Sequence, residues 1–404
     1  MARGASSNDV YFAPSIQSSN GIMDQKGRII TPACSHTALI AMSGGVDSSV
    51  AALLMQEQGY ACTGATMRLY DDKTIMYPNL CVGCADPGAP PTMAGKDSAI
   101  EAACGVAKKL DMPFCVFNLT EDFAHEVIEK FVTAYEAGET PNPCINCNQH
   151  LKFERLLACA TELGLDVLAT GHYARTHYDE ASGRWQLLRA ADPTKDQSYV
   201  LYGLTQAQLA RVRFPLGGMR KTETRARAVE AGFANADKPD SQDICFVPDG
   251  DYGAFIEQWR GAVSQPGDIL DEQEQVIGQH KGMARYTIGQ RKGLEVAVGH
   301  PVYVLAKDPT HNTVTLGDET GLYHKGLLAR SVNWVSVAPT TEPLRALVKT
   351  SYRSPGSPAL IQQREDGLLQ IDFDEPVRAA TPGQAVVAYD NDLVLAGATI
   401  DSVF

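Results

Sequence analysis

Ten cysteines and one short serine–glycine string hold most of the chemistry this sequence can do. Two cysteine pairs share the CxxC spacing: Cys81 and Cys84 in LCVGC, and Cys144 and Cys147 in PNPCINCN. A further cysteine, Cys245, stands in SQDICFV. Two CxxC pairs can make a tetrahedral structural zinc site, but Cys81 and Cys144 are much farther apart than a ribbon or finger needs. Cys62, Cys104, Cys115 and Cys159 fall in expected strands and helices, where a thiol packs as a small apolar side chain. Cys147 falls in a stretch rich in Pro and Asn that reads as a loop, where burial fits poorly and chemistry fits better.

The serine–glycine string is Ser43-Gly44-Gly45-Val46-Asp47-Ser48-Ser49. Its glycines let the backbone turn tightly and bring N–H groups close to an anion. Ser43, Ser48 and Ser49 add hydroxyl donors, and a following helix adds the positive end of its dipole. No Lys follows the glycines, so this is not a Walker A loop. A loose Gly-Gly pair would read as a turn. The full string at the C-terminal end of a strand reads as a phosphate loop, because open α/β sheets bind ligands there.

The elements that must position these residues alternate. Strands are expected at Thr37–Met42, Ala61–Met67, Phe114–Leu119 and Asp166–Thr170. Helices are expected at Asp47–Gln58, Asp97–Leu110, Glu121–Ala137 and Lys152–Leu163. This alternation implies an α/β domain with a parallel sheet and helices on both faces. The pattern changes near Asp251. One helix in YGAFIEQWRG, a hairpin turning around Asp308 to Asn312, and strands to the end imply a small mainly β domain and then a β-barrel. The expected boundaries are a disordered tail at 1–36, the α/β domain at 37–250, the central domain at 251–325 and the barrel at 326–404.

A chain of 404 residues suggests two or three domains. With 44% hydrophobic and 21% charged residues it has an ordinary globular composition. A formal net charge of −13 argues against coating nucleic acid or an anionic membrane by bulk charge. Two acid-poor runs stand out. One holds Arg211, Arg213, Arg220, Lys221, Arg225 and Arg227; the other holds Lys281, Arg285, Arg291 and Lys292. They make a local polyanion site conceivable beside the ordinary reading of solvated faces. The sequence shows no transmembrane run and no secretory signal, so a cytoplasmic protein with reduced thiols and no membrane partner is expected.

SGGVDSS resembles the pyrophosphate loop of the PP-loop ATPases, which cleave ATP between the α and β phosphates. The longer strings TPNPCINCNQHLKF, ATGHYAR, KDQSYVLYGL, SQDICFV and YTIGQRKGL together resemble the tRNA-uridine 2-sulfurtransferases of that superfamily. The matches run from residue 43 to about residue 390, nearly the whole chain. The resemblance implies ATP and magnesium, with ATP at Ser43 to Ser49, Met67 and Gly171, and Asp47 near the magnesium. It places the target base against Asn142, Pro143 and Cys144. It implies contacts to the tRNA anticodon arm from His172, Lys195, Asp196, Gln197, Tyr352, Arg353 and Gln384. Arg285, Arg291 and Lys292 would meet phosphates.

In that family the position matching Cys245 carries a persulfide, and the one matching Cys147 is its partner thiol. The residue three before that partner is usually an Asp; here it is Cys144. Cys144, Cys147 and Cys245 are enough thiolates for a [4Fe–4S] cluster with one open iron. The change from carboxylate to thiol loses a proton carrier and gains a ligand, which leans toward the cluster. Sequence does not choose between the two routes. Cys81 and Cys84 stay spare, in what reads as an inserted loop. The sulfur donor is a cysteine desulfurase, a relay protein or free sulfide.

The reading is therefore ATP-dependent 2-thiolation of the wobble uridine of tRNA. The uracil 2-oxygen is a poor leaving group, and adenylation makes it a good one. A flipped, single-stranded base suits this chemistry. The rivals are another PP-loop enzyme acting on RNA, and a metal-stabilised RNA-binding protein without turnover.

Overall fold

The apolar run Thr37–Ala41 forms strand β1 in the computed structural model of the chain. The structure describes residues 36–69, 98–239 and 244–404, with three short strands before them at Val10–Phe12, Ile22–Met23 and Ile29–Ile30. Cys81, Cys84, Ser241 and most of the expected tail lie outside the described residues. The chain divides into two compact units, residues 1–126 with 146–241 and residues 127–145 with 242–404.

The first unit is built on a parallel sheet. Beside β1 lie β2 (Ala61–Arg68), β3 (Phe114–Asn118), β4 (Val167–Thr170) and β5 (Val212–Arg213), in the order β3-β2-β1-β4-β5. All four pairings are parallel. The short strand Val10–Phe12 adds antiparallel to the outer edge of β3. Strand order reverses between β1 and β4, which makes that crevice the expected ligand position of a doubly wound sheet. Ala38, Leu39 and Ile40 are fully buried. Covered on both faces, β1 reads as a continuous apolar run rather than an alternation. Helix α1 (Val46–Glu57) packs Val50, Ala51, Ala52 and Met55 into the same core as Ala38 and Ile40.

Beyond β4 the first unit carries a hairpin, Arg175–Asp179 with Arg184–Leu188, and a helix at Lys221–Glu230. Neither stood out in the sequence. The expected helix at 121–137 runs from Thr120 to Glu136 with wide π-helical turns at Ala124–Glu129, and the boundary between the units falls inside it.

The second unit holds a four-stranded sheet and a closed six-stranded barrel. The sheet includes the expected hairpin, Tyr303–Asp308 with Thr313–Gly317. The barrel closes where Tyr323–Trp334 pairs with Leu393–Val403. Helix Tyr252–Arg260 ends at Gly261 with φ 65°, a left-handed stop that suits glycine. Arg260 binds Glu129 and Glu136, and Trp259 donates to Glu129 (3.0 Å), tying that helix to segment 127–145.

Candidate active site

β1 delivers the chain to Ser43 at the switch point, and α1 begins immediately after. Gly44 has φ 70°, and a side chain there would run into the Ala99 carbonyl at 2.4 Å. Glycine is therefore needed twice over at this turn. α1 starts at Gly45 with no side-chain cap, which leaves its first N–H groups for an anion. Ser48 and Ser49 hydroxyls donate to the Gly45 carbonyl (3.1 and 2.9 Å), and Ser43 N–H donates to Ser48 Oγ (3.2 Å). Asn235 closes the loop from outside, donating to the Gly44 carbonyl (3.1 Å) and Ser49 Oγ (3.0 Å).

Gly171, just past β4, faces this turn. A Cβ on Gly171 would lie 2.7 Å from Ser48 N and 2.8 Å from the Asp47 carbonyl carbon. Only glycine lets the two chain segments meet this closely. Met67, the other expected adenine-side residue, lies half-buried on β2 opposite Phe117.

Asp47 is held by groups the sequence did not link to it. Lys221 Nζ binds both its oxygens (2.7 and 2.8 Å), and the Tyr173 hydroxyl donates to Oδ1 (2.9 Å). The Lys221 side chain is only 10% exposed. Its backbone N–H is fixed in turn by Asp192 (3.0 Å). Lys221 had stood out only as one member of a basic run.

That run is mostly committed to the fold. Arg211 donates to Asp166 O, Leu165 O and Thr161, Arg213 to Ala210 O and Val212 O, and Arg227 pairs with Glu57 and Glu230. Arg285 pairs with Asp251 and Glu257. Arg291 and Lys292 are exposed.

Cys144 and Cys147 are not in a loop. Pro143–Asn146 is helical, and Cys147–Arg155 continues as π-helical turns. Asn142 Oδ1 accepts the Cys144 N–H (3.1 Å). Asn-Pro here is an N-cap followed by a proline whose fixed φ suits the first helical turn, which explains the start. The boundary between the units falls at 145/146, inside this helix, so Cys144 belongs to one and Cys147 to the other. Cys144 is exposed and Cys147 half-buried.

In the second unit Cys245 is exposed, and its neighbours Phe246 and Val247 are buried. Phe246 packs edge-on against Phe131 (5.3 Å). Thr140 N–H donates to the Pro382 carbonyl (3.1 Å), so the segment carrying Gln384 backs the one leading to Asn142. Tyr352 and Arg353 are exposed.

The comparisons with known proteins bear on this arrangement. A family model described as the tRNA methyl transferase HUP domain matches residues 36–249. A tRNA methyl transferase PRC-barrel domain matches 254–318, and an aminomethyltransferase beta-barrel domain matches 324–400. The tRNA-specific 2-thiouridylase MnmA of Acetivibrio thermocellus is 44% identical over 90% of this chain and 98% of its own. That of Geotalea uraniireducens is 47% identical over 90% of this chain and 94% of its own. The chain belongs to the tRNA-specific 2-thiouridylase family.

Three residues that the resemblance assigns to RNA have partners within the chain. His172 is 8% exposed and wedged between Phe153 and Phe214 (5.7 and 6.1 Å). Burial, helped by nearby Lys152, holds its pKa well below the usual histidine value. Asp196 accepts from Ala190 N and from Ser198 N and Oγ, and Gln197 accepts from Tyr173 N. The Asp-Gln pair thus shapes the turn, with Lys195 beside it half-buried.

The phosphate loop fits a nucleotide: an uncapped helix start, a glycine cradle and serine hydroxyls meet at the switch point. Asp47, the residue expected near magnesium, has both its oxygens on the Lys221 ammonium in this structure. Among the described residues no group of three His, Cys, Asp or Glu side chains is placed to hold a metal.

Proposed function

We propose that this chain thiolates carbon 2 of the wobble uridine in tRNA, using ATP and magnesium. The phosphate loop at the switch point carries this reading, joined to the family's sulfur-transfer cysteines. ATP binds with its phosphates on the Ser43–Ser49 turn, and adenine lies on the Met67 and Gly171 side. Asn142 and Pro143 face the target base, and the exposed Tyr352 and Arg353 and the half-buried Gln384 contact the tRNA. The uracil 2-oxygen attacks the α-phosphorus of ATP and pyrophosphate leaves. The outer sulfur of a persulfide on Cys245 then attacks carbon 2, and AMP leaves with the former 2-oxygen. The Cys147 thiolate attacks the inner sulfur, which frees the 2-thiouridine and leaves a Cys147–Cys245 disulfide. A thiol reductant resets the pair, and a cysteine desulfurase or relay protein reloads the persulfide. Thiolate is the reactive form, and exposure favours it.

A second reading replaces the persulfide by a [4Fe–4S] cluster on Cys144, Cys147 and Cys245. It is favoured by Cys144, a thiol where the family usually has a carboxylate. One experiment separates the two. Protein purified without oxygen is given unmodified tRNA, Mg–ATP and either a persulfide donor or sulfide, and 2-thiouridine and iron are measured together. Thiolation by iron-free protein with the persulfide donor is expected. Thiolation that tracks about four irons per chain would establish the cluster. No thiouridine under either condition would overturn the reading.

A further inference from the structure

We infer that Lys152 is a phosphate-binding cation of this site, braced from behind by a neutral His172. The inference rests on the proposed reading, because it assigns the anion to ATP or tRNA. Lys152 lies on the π-helical segment that begins at Cys147, five residues further on. In such a helix the bonding runs from i to i+5, so the two residues stand one turn apart.

Lys152 Nζ lies 3.4 Å from His172 Nε2, and His172 Nδ1 lies 2.7 Å from Thr170 Oγ1. An ammonium can only donate. Nε2 therefore accepts, and Nδ1 carries the proton and donates to Thr170. This fixes a neutral ring, in keeping with its burial. A neutral ring aims the ammonium without cancelling its charge.

No other group cancels it either. Among the described residues the nearby carboxylates are taken: Glu154 and Glu126 by His150, and Asp122 by Arg155. No described carboxylate lies within ion-pair distance of Lys152 Nζ. A half-buried, uncompensated cation is costly unless an anion joins it.

Its position says which anion. His172 directly follows Gly171, the residue packed on Ser48 N at the start of α1. Lys152 Nζ thus lies against the residue next to Gly171, and Lys152 is one helical turn from Cys147. A phosphate at that place belongs either to the nucleotide or to the tRNA backbone next to the target base. Sequence reading missed the pair because a lone Lys in NQHLKF and a lone His have no marked spacing.

The test uses the full chain with Lys152→Gln, Lys152→Arg and Thr170→Val. Mg–ATP binding without tRNA is measured by calorimetry, and unmodified tRNA binding by filter retention over a salt series. Lys152→Gln should weaken one of these by about tenfold, as for a lost charge-assisted contact. Lys152→Arg should restore most of the loss. Thr170→Val keeps the charge but frees the ring, and should show a smaller loss of the same kind. A loss in the ATP arm assigns the nucleotide phosphate. A loss in the tRNA arm, with a salt slope lower by about one, assigns the tRNA phosphate. Lys152→Gln that binds both ligands and thiolates like wild type overturns the inference alone. Wild-type protein that makes no 2-thiouridine overturns the underlying reading instead.

Discussion

The cysteines packed in and against the parallel sheet and those at Cys144, Cys147 and Cys245 carry the same side chain into opposite conditions. Cys115 is fully buried on β3, and burial pushes its thiol up to about 12. Cys159 lies behind β4, and burial pushes it to about 11. Both stay protonated and serve as packing. Cys144 and Cys245 are exposed, and Cys147 is half-buried at the start of wide helical turns. The lesson is that number and spacing of thiols do not mark chemistry; the element beneath each one does.

The sharpest way to break this comparison is to change one cysteine from each group. Cys147→Ser or Cys245→Ser should lower thiolation by at least about 10³-fold with the fold intact. Cys115→Ser should leave turnover near wild type and lower stability by about 1–3 kcal/mol, read as a urea midpoint. Equal effects would remove the distinction.

Lys221 tests whether the nucleotide side depends equally on a partner distant in sequence. Lys221→Met should cost about 10²-fold in ATP-dependent turnover. Combined with Asp47→Asn the losses should not add, since each variant removes the same contact. Additive losses would mean that the ion pair does not matter to turnover.

Gly171→Ala should have a smaller effect. Its Cβ would press on the Ser48 backbone at 2.7 Å, so α1 must shift. A KM for ATP raised about tenfold, or a stability loss of about 1–3 kcal/mol, is expected. Unchanged values would show that the turn yields freely.

The smallest effect concerns pH. The Cys115 pKa rises on folding from 9.0 to about 12. Its contribution is full below about pH 9, where the unfolded thiol is also protonated, and is lost as pH rises toward about 12. The wild-type advantage over Cys115→Ala in urea should therefore shrink between about pH 8 and about pH 10.5. A constant advantage would contradict the assigned direction.

Much of this was legible in the sequence. β1 and α1 and the loop between them follow from one apolar run, one glycine pair and one set of helix formers. The closed barrel follows from short strands and turns. Other features were hidden for definite reasons. Asn142-Pro143 was read as loop because both residues favour turns; as cap and first helical residue they start the helix four residues before Cys147. Lys221 lies 174 residues from Asp47, and nothing local joins them. Asp196 has the look of a surface contact until its carboxylate is found holding Ala190 and Ser198. The burial of His172 depends on Phe153 and Phe214, brought in from elsewhere in the chain.

The central claim is that the uracil 2-oxygen is adenylated before sulfur attacks. The most direct measurement uses tRNA whose wobble uridine carries ¹⁸O at carbon 2, with Mg–ATP and the persulfide donor, in one turnover. Mass spectrometry of the products follows the label. The account predicts one ¹⁸O in the phosphate of AMP for every 2-thiouridine formed. Label found in pyrophosphate or in water, with thiouridine still made, would contradict it.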